Sequence, residues 1–164
     1  MKTHTVVDSP VGPLTLVAED GALAGLYQSQ QRHLPAAASF GARDDTALPQ
    51  VKEQLTAYFD GALEQFDVPL ALTGTPFQGQ VWAALRAVPY GSTCTYGDLA
   101  TTIGRPTALR AVGAANGRNP VCIVVPCHRV VGASGSLTGY AGGVERKRYL
   151  LDLEAGTGQQ LSVT

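Results

Sequence analysis

A thiol stands beside an imidazole in Pro126-Cys127-His128-Arg129-Val130, at the end of the apolar run 121–125. The thiolate is the nucleophilic form of cysteine. With a free pKa of about 8.5, only a few per cent is present at neutral pH, so a neighbouring base or positive charge must activate it. His128 and Arg129 are placed in sequence to supply both. Adjacent side chains of an extended strand point to opposite faces, so a direct Cys127–His128 hydrogen bond requires a turn or a bridging water. Pro126 and Gly132 supply the means for a turn. The competing reading is a small buried cysteine that packs inertly, as most free cysteines do.

Glu154 is the second candidate. Residues 144–154 read as a helix on which Leu150, Leu151 and Glu154 share one face by i, i+3 and i+4 spacing. A carboxylate on an apolar face calls for a buried partner, and His128 is the natural one: a carboxylate fixes the imidazole tautomer and stabilises its cation. The bland alternative is a solvated glutamate at a frayed helix end. Between these two segments, residues 132–143 hold five glycines around Tyr140. Such a loop either approaches a flat ligand through its backbone or serves as a connector.

The elements that position these groups are legible along the chain. Residues 4–7, 14–17 and 23–26 alternate as strands, with Asp20-Gly21 a hairpin-turn signal. Residues 28–47 are polar and alanine-rich without period and predict a mobile loop. Leu48, Val51, Leu55, Tyr58 and Phe59 recur at helical spacing, and 66–72 alternate as a strand. This predicts a small α/β lobe over 1–74 with an antiparallel sheet. A mainly helical domain follows over 75–155, with 156–164 a disordered tail.

In that second part, Thr75-Pro76-Phe77-Gln78 has the form of a capping box, opening a helix with the stripe Phe77, Val81, Leu85, Val88. Thr95 and Asp98 can cap a short helix over 96–103, and Pro106 opens another after Gly104. Two short helices about a glycine turn have the form of a helix-turn-helix. On the second, Leu109, Val112 and Ala108 can face inward, leaving Thr107, Arg110, Ala111 and Ala114 on the exposed side. That face is small, with one long cation. It suits shape-based approach to a backbone or groove, since reading base edges takes several Arg, Asn or Gln side chains.

Charge divides the same way. Residues 1–74 carry four Lys/Arg against nine Asp/Glu, or −5, and 75–164 carry eight against four, or +4. A basic half suggests a polyanionic partner. No apolar stretch is long enough to cross a bilayer. An odd count of three cysteines without a secretory signal predicts a reducing, cytoplasmic compartment. Cys122 and Cys127 have the wrong separation for zinc and His4 and His33 are isolated, so neither metal nor cofactor is expected.

Asn119-Pro120, Ile123 to Gly132, Ser134-Gly135, Gly139-Tyr140, Gly142-Gly143 and Glu154 follow one another in an order and spacing that resemble the O6-alkylguanine-DNA alkyltransferase family. The likeness spans 75–154 by ordered motifs and the first lobe more loosely. It implies a ribonuclease-H-like first lobe and stoichiometric, irreversible transfer of an alkyl group from O6-alkylguanine in double-stranded DNA to Cys127. Cys127 would be activated through a water and His128 by Glu154. Asn119 would brace the turn carrying Cys127, and Tyr96 would give a proton to the departing guanine. Arg110 would fill the gap left by the flipped nucleotide, with its helix in the minor groove. The backbone at Val130 and Ala141, with Tyr140, would line the base pocket. The family further implies a protein that is monomeric in solution and associates with the nucleoid when bound to DNA, and leaves cooperative assembly on DNA open.

Departures from the family pattern also count. Cys122 stands where many relatives have another residue, and Cys94 has no assignable role. Thr138 occupies a position that is glycine in some relatives and bears on the size of alkyl group accepted. Two other functions fit parts of the sequence. A non-catalytic reader of alkylated bases would lack the thiol that Cys127 provides. A cysteine hydrolase using Cys127 and His128 would turn over.

Overall fold

The computed structural model describes residues 1–137 and 139–156; Thr138 and residues 157–164, including the expected tail beyond Gly156, lie outside the described residues. The first lobe is built on β1 (Lys2–Val7), β2 (Leu14–Glu19) and β3 (Ala22–Gln28). These pair antiparallel in sequence, and a two-residue strand, β4 (Ala42–Arg43), joins β1 in parallel, giving the order β3-β2-β1-β4. Asp20 at φ 52° and Gly21 at φ 83° turn β2 into β3, the positive-φ pair that matches strand twist.

Two expectations change here. The 28–47 segment is not structureless: a 3-10 turn at Ala37–Phe40 precedes β4, and buried Phe40 stacks on Tyr27 at 5.4 Å between ring centroids. One aromatic in a polar run suffices to tie that segment to the sheet. The expected strand over 66–72 shrinks to a single bridge, Leu70 to Leu23, because Pro69 within it has no N–H to extend a ladder.

Helix α1 (Pro49–Phe59) turns Val51, Leu55, Tyr58 and Phe59 inward, into an apolar cluster that also takes Leu14, Leu16 and Leu26 from the sheet. The same cluster continues into the second half through Trp82, Leu99, Val112 and the 121–125 segment. One continuous core therefore fixes the site residues of both halves.

Thr75 opens α2 (Pro76–Arg86) with a complete capping box to Gln78, and Thr95 opens α3 (Tyr96–Thr102) with another to Asp98. Each satisfies two otherwise orphaned donors and fixes where its helix begins. The next helix, α4 (Leu109–Gly117), starts three residues after Pro106, so Pro106 lies in the connection and not at the helix start. Trp82 Nε1 donates to Ala115 O at 2.9 Å and locks α2 to α4. Leu109 is 49 % exposed, against the expected inward face; Val112, Ala115 and Asn116 form the buried side. Leu109 is the first helical residue, ahead of the turn that α2 covers. Thr107, Arg110, Ala111 and Ala114 are all exposed, as spacing predicted.

Two short strands, β5 (Cys94–Thr95) and β6 (Val130–Val131), pair in parallel, Cys94 with Val130 and Thr95 with Val131. This ladder sets the start of α3, and hence Tyr96, against the cysteine segment. Helix α5 (Val144–Ala155) is the last element of the described residues and ends on Gly156 in the left-handed region.

Candidate active site and nucleic-acid interface

Residues 121–127 fold into consecutive tight turns. Val124 N–H donates to Cys122 O at 2.8 Å around Ile123, whose φ of 75° is costly for a β-branched residue. Cys127 N–H donates to Val125 O at 2.8 Å around Pro126, at φ −82° and ψ 65°, an inverse γ-turn. Asn119 overdetermines the arrangement: its Nδ2 donates to Val125 O at 2.7 Å and its Oδ1 accepts from Val121 N–H at 3.0 Å. The turn expected at Pro126 is present, and Cys127, His128 and Arg129 form a single 3-10 turn beyond it.

His128 is fully buried, and its Nε2 meets Glu154 Oε2 at 2.6 Å. Arg129 is not the activator of Cys127 that adjacency suggested. Its Nε donates to Glu154 Oε1 at 2.7 Å, one terminal nitrogen donates to Oε2 at 3.0 Å, and the other donates to Val88 O at 2.7 Å. Tyr58, from the first lobe, donates its hydroxyl to Oε2 at 2.6 Å. Burial pushes the Glu154 carboxyl up, but hydrogen bonds from His128, Arg129 and Tyr58 outweigh it and hold the group at about 2. A charged carboxylate makes Nε2 the protonated nitrogen of His128, since burial lowers the imidazole pKa despite Glu154. Nδ1 then carries the lone pair, and it has no protein partner among the described residues.

Cys127 is 2 % exposed, and no hydrogen bond joins it to His128 among the described residues. Its thiol pKa is nonetheless lowered: the neighbouring Cys122 thiol, then the Asn119 side chain and the nearby Lys147 charge, favour the thiolate and together overcome burial. Lys147 is completely buried and donates to Val130 O. On α5 it lies seven residues before Glu154, so both occupy one face and bring a positive and a negative charge to the same segment. The neighbouring Cys127 thiol, followed by burial, pushes the thiol of Cys122 well up, and burial pushes that of Cys94 up to about 11.

Tyr96, opening α3, is half-buried, and burial followed by the nearby Cys127 raises its pKa, keeping the phenol protonated at neutral pH. An added Cβ at Gly139, where φ is 78°, would lie 2.3 Å from the Tyr96 hydroxyl, so only glycine admits that approach. An open, largely apolar cavity of about 420 Å³ adjoins Tyr96, walled also by Thr95, Gly97, Leu109, Arg110, Gly113 and Ala133. Val130, Tyr140 and Ala141 are buried beside the cysteine segment and are not among the walls of that cavity. Tyr58 and Lys147 are the residues sequence reading missed. A tyrosine on a buried helical stripe needs a partner for its hydroxyl, and a lysine in register with Glu154 shares its face; those were the available signals. Among the described residues no group of three or more His, Cys, Asp or Glu gathers at one point, and no helix is long and apolar enough to cross a membrane.

An exposed cation-bearing helix of a helix-turn-helix, beside a buried thiol, is the arrangement that a DNA-directed transferase with a cysteine acceptor needs. Comparison with known proteins agrees. The 6-O-methylguanine DNA methyltransferase DNA-binding domain matches residues 76–156, and that family's ribonuclease-like domain matches 2–72. The chain is 52 % identical over 151 residues to the methylated-DNA–protein-cysteine methyltransferase of Mycobacterium tuberculosis, covering 92 % of this chain and 91 % of that protein. It is 45 % identical to the Methanosarcina acetivorans protein of the same name, covering 92 % and 97 %. The crystal structure of the M. tuberculosis O6-methylguanine methyltransferase superposes with a TM-score of 0.89 at 50 % identity, over 96 % of this chain and 95 % of that one. An M. tuberculosis structure in complex with DNA gives 0.90 at 51 %, over 94 % and 93 %.

The chain belongs to the 6-O-methylguanine DNA methyltransferase family. It is a DNA-repair methyltransferase that moves an alkyl group from DNA to a cysteine.

Proposed function

We propose that Cys127 accepts the alkyl group of O6-alkylguanine in duplex DNA, once per protein molecule. The observation that carries this assignment is a buried thiol on a turn braced by Asn119, next in sequence to a histidine whose protonated nitrogen is fixed by Glu154. A water between the sulfur and His128 Nδ1 takes the thiol proton and passes one of its own to Nδ1. The sulfur then forms a bond to the alkyl carbon as the carbon–O6 bond breaks, and the electron pair goes to guanine. Tyr96, still protonated at neutral pH, gives its proton to the ring as the alkyl carbon leaves O6. The products are a thioether and guanine, and no hydrolytic step reverses a thioether.

An O6-alkyl group is enclosed by base stacking, so attack requires extrusion of the nucleotide at a few kcal/mol. The exposed face of Thr107, Arg110, Ala111 and Ala114 has the small side chains needed to lie in the minor groove, with Arg110 long enough to occupy the vacated stack. The extruded base is held by the backbone of Val130 and Ala141 and by Tyr140. Residues 1–74 support the site from behind and 75–155 carry both site and groove contact. Asn119 is the brace of the cysteine turn.

The test is stoichiometry. Duplex carrying radiolabelled O6-methylguanine in excess should deliver one methyl group per protein and then stop. Continued release of label into solution would instead indicate a hydrolase, and tight binding without label on the protein a reader.

A further inference from the structure

The end of β3 and the residues just after it hold the loop before α5 and the first turn of α5 through four hydrogen bonds. Gln28 Nε2 donates to the Tyr140 hydroxyl at 2.6 Å, and Arg32 N–H donates to Ala141 O at 2.8 Å. Arg146, at the start of α5, donates to Ser29 O at 2.7 Å and to Ser29 Oγ at 3.1 Å. Tyr140 and Ala141 are the residues assigned above to the base pocket, so the partners that fix them come from the opposite half of the chain. Gln28 is itself completely buried and held at the backbone: its N–H donates to Gln31 Oε1 at 2.6 Å.

Gln28 Oε1 is buried without a partner among the described residues. An unpaired buried carbonyl costs free energy that an apolar side chain of the same length would avoid. The chain keeps the amide, and Gly142 makes room for it: a Cβ there would sit 2.4 Å from Gln28 Oε1 and 2.6 Å from the Tyr140 ring. Folding alone does not account for a glutamine here. Holding the Tyr140 hydroxyl does.

We infer that Gln28 is a positioning residue for the base pocket: by fixing Tyr140 from the first lobe, with Ser29 and Arg32 securing its flanks, it holds the pocket loop in the shape that receives the alkylated guanine. The inference rests on the reading of Tyr140 and Ala141 as pocket residues. Because Gln28 acts on the shape of the pocket and not on the sulfur, its loss weakens capture of the base and leaves the chemical step unaltered.

The experiment measures the rate of Cys127 alkylation against the concentration of free O6-methylguanine base, in wild type, Gln28→Met and Arg146→Met. Iodoacetamide, which needs no base pocket, reports the thiol itself. The expected result for Gln28→Met is a half-saturating concentration raised about three- to tenfold, the factor that one hydrogen bond commands. The limiting rate and the iodoacetamide rate stay within about twofold, and the melting temperature falls only modestly, since the Tyr140 hydroxyl loses its partner while the orphan carbonyl goes with the amide. Arg146→Met, made at the surface, shifts half-saturation the same way and serves should Gln28→Met fail to fold. Wild-type transfer with unaltered half-saturation in both variants overturns the proposal alone, as does a loss that iodoacetamide mirrors. A wild-type protein that takes no alkyl group from base or duplex removes the pocket reading and this proposal together.

Discussion

The hydroxyl of Tyr58 and Nε2 of His128 meet the same atom, Oε2 of Glu154, each at 2.6 Å. A helix of the first lobe therefore supplies one of the donors that keep the Glu154 carboxylate charged. Tyr58→Phe removes that donor and little else. Loss of a buried hydrogen bond to a charged group costs about 1.5–3 kcal/mol. The variant should melt lower at neutral pH while still folding.

The pH dependence of that effect has a definite sign. Glu154 has its pKa depressed to about 2 in the folded protein, below the ordinary carboxylate value of about 4.3. It therefore contributes stability that is present above about pH 4.3 and is lost as pH falls through 2. Unfolding free energies of wild type and Tyr58→Phe should converge across that window, read by denaturant titration from pH 7 to pH 2. A constant difference would show that Tyr58 does not act through the carboxylate. His128 adds in the same direction: its folded pKa is lowered by burial, so its protonation below about 6.5 also favours the unfolded chain.

Cys122 and Lys147 both lower the thiol pKa of Cys127. Cys122→Ala and Lys147→Met should each move the pH midpoint of iodoacetamide reactivity at Cys127 upward. An unmoved midpoint in both would leave Asn119 as the remaining donor and contradict the electrostatic account.

Asn119→Ala leaves Val125 O and Val121 N–H, both buried, without their side-chain partner. The expected destabilisation is about 2–4 kcal/mol, as for other losses of a buried polar brace. It should also slow alkyl transfer, because the turn at Ile123 is held in place by those bonds. Wild-type melting would refute the bracing role.

Arg110 is exposed on α4 and makes no ion pair among the described residues, so Arg110→Ala should change stability by no more than about 0.5 kcal/mol. Repair of duplex lesions should slow markedly, whereas transfer from the free base should not. Equal slowing of both would place Arg110 outside the groove role.

Much of this arrangement was legible in residue order. The capping boxes at Thr75/Gln78 and Thr95/Asp98, the Asp20-Gly21 turn and the inward glutamate all rest on short-range rules, which tertiary packing rarely overrides. What escaped was long-range. The helical stripe of α1 gives the ring of Tyr58 a place in the core but says nothing of where its hydroxyl ends, 96 residues away. Arg129 lies two residues after Cys127 yet turns to Glu154, because a 3-10 turn separates neighbouring side chains around its axis. Gln28 and Phe40 lay in a run with no period, where a single buried side chain leaves no pattern to read.

The central claim is that the sulfur of Cys127 takes the alkyl carbon. Intact-mass measurement after mixing the protein with a duplex holding one O6-methylguanine, followed by peptide mapping, tests it directly. The account predicts a gain of one methylene equivalent per chain, located on Cys127, with the DNA restored to guanine. Unmodified protein beside persisting lesion, or a methyl group on Cys122 or Cys94 instead, would contradict it.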